Sequence, residues 1–363
     1  MDLEFGAEDQ LVIQSVLQFA ERYLAQGQFG GETGDIAHRI RSEIADLGLW
    51  GMCIDSSRHG LGFSRVTGVA VVATLASYSA SVGLVVGQHA LVCAGLAHWG
   101  GSDGTLGTLA TLLARGTTSY CHVDASRCVL SSVSPSHEVV RLSGTVPLVP
   151  GAAHAGGLLV TFPSGMALLS SDTPGITVLP HITLGLCSAG WATVTFDNVT
   201  VCVEADCLGN KFANLAYEQQ LLVDAAVAVG IAQGALQVSV AYAQDRHQFG
   251  KPISDFQAIQ WKIADSAVDV EAARSLLFRA AAEVDGTRRL AYAAMAARYS
   301  RTVASGITRH GMQIHGGYGY TTDYVIERLF RDAHHLEGVA EPNHSDILPV
   351  ISAVYGRTRD GLS

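Results

Sequence analysis

Residues 241–257 read AYAQDRHQFGKPISDFQ, where Arg246, Gln248 and Phe249 follow a helix-like run that Gly250 and Pro252 bring to a stop. These residue types suggest a chemistry. A guanidinium forks two hydrogen bonds onto a pair of phosphate oxygens, and a phenyl ring offers a flat aromatic ligand a face to stack on. Placed at a helix tip rather than along its flank, they suit a guest that is flat and anionic. The same residues also suit an ordinary helix end, with arginine compensating the dipole and phenylalanine stapling the turn.

A second stretch, residues 311–333, reads GMQIHGGYGYTTDYVIERLFRDA. Here Gln313 precedes a Gly316-Gly317 break and an aromatic Gly-Tyr repeat. Paired glycines permit a positive φ and let a ligand approach the backbone closely. Alone, such a pair is a turn; in this order and at this separation, the two stretches form a specific combination.

Helices must carry both. Residues 8–117 read as helical, beginning with a run that places Leu11, Val12, Val16, Phe19 and Ala20 on one face. DIAHRIRSEIADLGLWG repeats the pattern and stops at glycine, HGLGF at 59–63 is a turn, and apolar helices run on to about His98 before LGTLATLLARG. From about 118 to 210 the texture changes to short segments rich in Val and Thr, such as EVVRLSGTVPLV, GGLLVTF, MALLSS, GITVLP and ATVTFDNVTV, which read as strands of a small β domain. From 211 to 363 long Ala-rich helices return, broken at 250–253, near Gly286 and at Gly316-Gly317. The domains expected are thus 1–117, 118–210 and 211–363. A chain that is helical, then β, then helical does not alternate βαβ, so a doubly wound parallel sheet is excluded.

The bulk figures narrow the function classes. Of 363 residues 48% are hydrophobic and 15% charged, too apolar for a disordered chain. A net charge of −10 argues against nucleic acid as a partner. The acidic start MDLEFGAEDQL lacks the features of a signal peptide, and no uninterrupted apolar run approaches the ~18 residues of a membrane span. The seven cysteines, Cys53, Cys93, Cys121, Cys128, Cys187, Cys202 and Cys207, show no CxxC spacing and read as reduced thiols of a cytoplasmic protein. His310, His315, His334, His335 and His344 offer no convincing metal-site spacing, and no Gly-x-Ser-x-Gly or P-loop occurs. The charges of SEIADLG and IERLFRDA read as solvated helix faces.

The chain resembles the acyl-CoA dehydrogenase family over nearly its whole length. The resemblance runs through DLGLWGMCI…HGLGF, HWGGSDGTLGTLATLLARGTTSY and TFDNVTV…LG, and is strongest in DRHQFGKPISDFQ and QIHGGYGY…IERLFRDA. It implies an α+β, mainly α fold: a helical N-terminal domain, a small β-barrel-like middle domain and a C-terminal four-helix bundle. It implies FAD as cofactor, an acyl thioester as substrate, and an FAD whose ADP half is held by these two segments across a subunit interface. On that likeness Arg246 and Gln248 address the pyrophosphate, Phe249 meets the adenine, Phe256 and Gln257 border the adenosine, and Gln313 with the Gly316 and Gly317 backbone lines the adjacent groove.

The family's chemistry also needs a flavin-ring pocket and a carboxylate base for the α proton. Where the family's flavin loop resembles Tyr-Cys-x-Thr-Glu-Pro, Tyr120 and Cys121 fit but Val123 takes the hydroxyl position. Where it has Gly-x-Lys-x-Trp-Ile-Thr-Asn, Pro147 replaces the tryptophan and Val149 the threonine; valine cannot hydrogen-bond a flavin nitrogen, and proline cannot donate from its backbone. The base position falls on Ala340, with Glu341 one residue late and Glu337 three early. The position some relatives use instead is Gln220; Leu221 replaces an arginine used toward CoA, and Glu218 keeps a carboxylate. No catalytic residue and no metal ligand is assigned.

Three functions follow. The chain is a subunit of a heteromeric acyl-CoA dehydrogenase, resembling the degenerate subunit of bacterial steroid-CoA-oxidising enzymes and giving ADP-side contacts to a paralogous catalytic partner. Or it is a self-sufficient homotetramer using Glu341 or Glu337 on a CoA- or carrier-bound thioester. Or it is a scaffold that kept the fold and lost the chemistry.

Overall fold

The computed structural model describes residues 5–25, 38–99, 105–116, 119–126, 128–132, 139–163, 165–202, 211–339, 349–350 and 352. Helices open the chain: α1 (Ala7–Tyr23), α2 (His38–Asp46), α3 (Arg65–Tyr78), α4 (Ala80–Trp99) and α5 (Thr105–Ala114). The amphipathic reading of the first run holds, since Val16, Phe19 and Ala20 are buried; Leu11 is exposed. Ser64 caps α3 by accepting from the Thr67 backbone N–H at 3.1 Å, which satisfies one of the donors a helix start leaves orphaned. Helices α3 and α4 are apolar all round because they lie inside the molecule.

Seven strands follow: β1 (Tyr120–Asp124), β2 (Val129–Ser132), β3 (Val139–Val149), β4 (Gly157–Phe162), β5 (Gly165–Ser170), β6 (Ile176–Pro180) and β7 (Ala192–Cys202). They form two sheets, ordered β1-β4-β5 and β2-β3-β7-β6, with β1 parallel to β4 and the other neighbours antiparallel. The segment that the likeness assigns to a flavin loop thus contains β1 and β2. Val123, Leu158 and Phe162 of one sheet and Val140, Val194 and Phe196 of the other share a single core.

The last helices are α6 (Lys211–Asp245), α7 (Gln257–Ala282), α8 (Gly286–His315) and α9 (Val325–Val339). By length and composition α6 would serve to cross a membrane, but 72% of its most apolar window is buried inside the protein, against α3, α4, α7 and α8. Close approach requires small residues: a Cβ at Gly230 or Gly234 of α6 would collide with the backbone of Ala73 or Ser77 on α3. One hydrophobic core therefore unites the first helices with the last, from Phe19 and Val72 to Ala228 and Leu329. The β core stands beside it.

Helix α9 is fastened to the β side by polar contacts. Asp332 accepts from the Leu186 backbone N–H at 2.6 Å, and Arg331 forks onto Glu327 at 2.6 and 2.9 Å while donating to the Leu184 carbonyl. These charges, expected on a solvated face, are shielded: Asp332 is 4% exposed, and the side chains of Arg331 and Glu327 are 15% and 18% exposed. Burial pushes the Asp332 carboxyl up, against the Leu186 N–H and two arginines that pull it down.

Candidate functional site

Helix α6 ends at Asp245, before the glycine and proline expected to stop it. His247–Gln248 (β8) then pairs antiparallel with Lys251–Pro252 (β9), so the segment is a hairpin. Phe249 and Gly250 turn it with φ of 52° and 81°, the successive left-handed pair that a tight two-residue hairpin turn uses. Phenylalanine is a strained choice there, and the residue is 93% exposed. Phe256, at the N-cap of α7, meets that ring edge-on at 6.3 Å and lies under the Lys251 ammonium at 4.6 Å.

The second segment comes to the same place. The Arg246 guanidinium lies 5.5 Å from the centroid of the Tyr318 ring. Tyr242, the residue whose carbonyl accepts the Arg246 N–H at 2.9 Å, stacks on His315 at 4.1 Å. Gly316 has a φ of 60°, and a Cβ on Gly316 or Gly317 would enter open space. Arg246, Phe249, Phe256 and the Gly316-Gly317 turn are thus gathered on one rim. Gln248, Gln257 and Gln313 are exposed on the hairpin, the first residue of α7 and the last turn of α8, and no hydrogen bond ties them to Arg246. An exposed cation, two aromatic faces and an open glycine turn fit a phosphate-bearing, ring-bearing ligand.

A cavity of about 200 Å³ lies deeper, between the β sheets and the final helices. Part of its wall is residues 146–150 of β3 and the following turn, where the ladder to β7 breaks: Val146 pairs with Val194, but the next partner is Val149, with Ala192. Pro147 has no N–H to give to a ladder, and Leu148 bulges with φ 51°. Val149 also faces the cavity, so neither substituted position here adds a polar side chain to it. Val123 is fully buried in the β core, and strand β1 presents His122 and Asp124 to the cavity instead. A tryptophan does reach the wall, from just before β7: Trp191 donates to the Leu186 carbonyl at 3.0 Å and packs on His335.

The candidate carboxylates separate. Glu337 is exposed near the end of α9 and is not part of the cavity wall; Ala340 and Glu341 lie outside the described residues. Glu218 is buried away from the cavity between Arg65 at 2.9 Å and Arg289 at 3.1 Å, an ion triad joining α6 to α3 and α8. Gln220 and Leu221 do line the cavity.

Sequence reasoning passed over Asp224 and Arg301, which also line it. Asp224 lies one turn beyond Gln220, and the signal was available. It is the one charged residue in LLVDAAVAVGIA, a run whose apolar composition marks it as buried. Burial pushes its carboxyl up, countered by Arg301 and by the Gln220 hydrogen bond.

The comparisons assign this arrangement, helices packed on a β domain with a cavity between them, to the flavin-dependent oxidoreductases that act on acyl thioesters. The model of the acyl-CoA dehydrogenase N-terminal domain matches residues 6–108, and that of the C-terminal domain matches residues 214–339. Probable acyl-CoA dehydrogenase YngJ of Bacillus subtilis is 30% identical, covering 93% of this chain and 95% of its own length. Butyryl-CoA dehydrogenase from Megasphaera elsdenii superposes with a TM-score of 0.86 at 25% identity, covering 98% of this chain and 100% of that one. The ChsE4-ChsE5 complex from Mycobacterium tuberculosis shares the fold, with a TM-score of 0.87 at 21% identity over 99% of this chain and 100% of that one. The chain belongs to the acyl-CoA dehydrogenase family.

Proposed function

We propose that this chain takes part in the FAD-dependent α,β-dehydrogenation of an acyl thioester as one subunit of a hetero-oligomer. FAD is the cofactor. Bound, it supplies the hydride acceptor of the family's reaction. Arg246 and Gln248 hold its pyrophosphate, Phe249, Phe256 and Gln257 its adenosine, and Gln313 with the Gly316-Gly317 backbone lines the groove beside them. The observation that carries this reading is the outward aim of that rim: a strained Phe249 that is 93% exposed and glycines that open onto free space serve a ligand seated mostly in a neighbour. Pro147 and Val149 stand where relatives keep flavin-contacting groups and Ala340 stands at the position of the base, so on this reading the flavin-ring pocket and the base come from a paralogous partner. A complex of two named components, ChsE4-ChsE5, shares the fold and supports a mixed assembly.

A second reading is favoured by the cavity of about 200 Å³ that the chain retains. On it the cavity receives the acyl part of a thioester in this chain too, and the protein is a self-sufficient homo-oligomer. Flavin counted per chain separates the two. Expressed alone, the chain should purify nearly colourless, and with its paralogue it should carry flavin at no more than one per pair of chains. Full flavin content in the protein alone would replace the first reading by the second, and no flavin in either preparation would end both. Both readings place the protein in the cytoplasm with its acyl-thioester substrate.

A further inference from the structure

A second cavity, of about 90 Å³, lies away from the first, where the lead-in to α1 meets α3, α6 and α7. Both border α6, on opposite sides of it. Gln220 and Asp224 line the first; Val229 and Gln233 line the second, each about two and a half turns further along the helix. The walls of the second are mostly apolar. Phe5 and Phe278 meet edge to face at 5.4 Å, and Ile13, Leu277 and two alanines of α3 enclose the rest. Three polar side chains interrupt them. Thr74 donates to the Ala70 carbonyl at 2.9 Å and so turns back on its own helix. Arg274 lies 5.8 Å from the centroid of the Phe278 ring and gives one Nη2–H to Glu271 at 3.0 Å. The side chains of that pair are 43% and 61% exposed, where such a contact contributes little. Among the described residues the Arg274 Nε and Nη1 have no acceptor, and the Gln233 amide has no hydrogen-bond partner.

We infer that this cavity is a second binding site, for a short free carboxylic acid. Its carboxylate accepts from Arg274 and from Gln233 Nε2, and its hydrocarbon tail lies between Phe5, Ile13, Leu277 and Phe278. The site goes beyond both readings of the first cavity and stands whichever of them holds. A guanidinium and a carboxamide offer N–H groups to the two oxygens of one planar group. An ammonium would be repelled by Arg274, and a plain hydrocarbon would answer neither donor. A phosphate ester brings close to two negative charges to a single cation. The tail is short because the hollow has less than half the roughly 200 Å³ of the first cavity. A bound acid ties Phe5, ahead of α1, to α7, so occupancy stabilises the folded chain.

The test is calorimetric titration of the full chain, at constant ionic strength, with sodium hexanoate, hexanamide, hexylammonium chloride and sodium acetate. Hexanoate should bind saturably, one per chain, and raise the melting temperature. Hexanamide, which lacks the charge, and acetate, which lacks the tail, should each bind at least about ten-fold more weakly. Hexylammonium should not compete with hexanoate. Hexanoate is also small enough to enter the first cavity, so two variants locate it. Gln233→Glu keeps the size of the side chain and sets an anion beside the carboxylate; Arg274→Met keeps packing on Phe278 without the charge. Each should weaken hexanoate at least about ten-fold, with a melt of the unliganded variant confirming that it folds. Should Arg274→Met fail to fold, Gln233→Glu alone decides. Hexanoate binding that survives Gln233→Glu at full strength would put the acid elsewhere and overturn the assignment. Equal affinity for hexanoate and hexanamide, or no saturable binding at all, would overturn it too.

Discussion

The guanidinium of Arg246 lies over the ring of Tyr318, 5.5 Å from its centroid, and this contact joins the hairpin after α6 to the glycine turn after α8. Arg246 is exposed even so, which leaves its N–H groups facing outward from a ring that fixes its position.

Arg246→Ala should weaken flavin retention in the assembled enzyme about ten- to a hundred-fold, and Arg246→Lys should recover only part of it, since an ammonium cannot reproduce the planar fork. Thermal unfolding of the isolated subunit should barely change. Flavin release measured by fluorescence checks this. Equal retention by the lysine variant would reduce Arg246 to a helix-end charge.

Phe249 separates stability from binding. Asparagine tolerates the left-handed conformation and, followed by Gly250, forms a favoured hairpin turn. Phe249 is 93% exposed, so removing its ring forfeits little burial. Phe249→Asn should therefore leave the protein as stable or more stable by about 0.5–1 kcal/mol, while flavin retention falls about ten-fold. A chemical melt and a flavin titration on one preparation decide it. A variant that is more stable with undiminished flavin would remove Phe249 from the cofactor site.

Glu218 and Glu337 make opposite predictions. Glu218→Gln strips the anion from between Arg65 and Arg289 and should cost roughly 3–5 kcal/mol in a denaturant melt, yet leave flavin retention in the assembly within a few-fold. Glu337 is exposed and outside the cavity wall. Glu337→Gln should leave activity of the assembly within a few-fold, whereas loss of a general base removes roughly 10²–10⁴. A drop of that size with flavin still bound would make this chain the catalytic one.

Much of the fold was legible because period and punctuation carried it. Val16, Phe19 and Ala20 recur at helical spacing, and the Val- and Thr-rich segments between 139 and 202 are strands. The end of α6 was misjudged because Gly250 and Pro252 mark a hairpin and not a helix terminus. The shared core of the first and last helices has no local signature, since it depends on contacts such as Gly230 against Ala73 between residues far apart in the chain. The rim was readable from residue types at Arg246, Phe249 and Gly316. The pairing of Asp224 with Arg301 at the cavity was not, because the two meet only when α6 packs on α8. IERLFRDA misled for a related reason: its charges look solvated until Leu184 and Leu186 close over them.

The last prediction concerns acid stability. His89 is buried, its Nε2 lies 3.0 Å from the Leu113 carbonyl, and its Nδ1 has no hydrogen-bond partner among the described residues. A carbonyl only accepts, so Nε2 carries the proton and Nδ1 is bare; a second proton would be buried with nothing to receive it. Burial accordingly pushes the imidazole down from 6.5 to about 4. The unfolded chain takes up that proton below pH 6.5 and the folded chain does not, so stability rises with pH through this window and levels off above it. His89 alone should lose the fold up to roughly 3 kcal/mol between pH 6.5 and 4, and His122, also depressed to about 4 by burial, should add a slope of the same sign. The raised carboxyls of Asp224 and Asp332 act oppositely, gaining stability as the pH falls toward 3.8. His89→Gln keeps an N–H for Leu113, removes the titration and leaves the other groups in place. Urea midpoints of wild type and variant from pH 7.5 to 4.5 should diverge only below about 6.5, with the wild type falling more steeply; parallel curves would show that His89 is protonated in the folded protein as readily as in the unfolded chain.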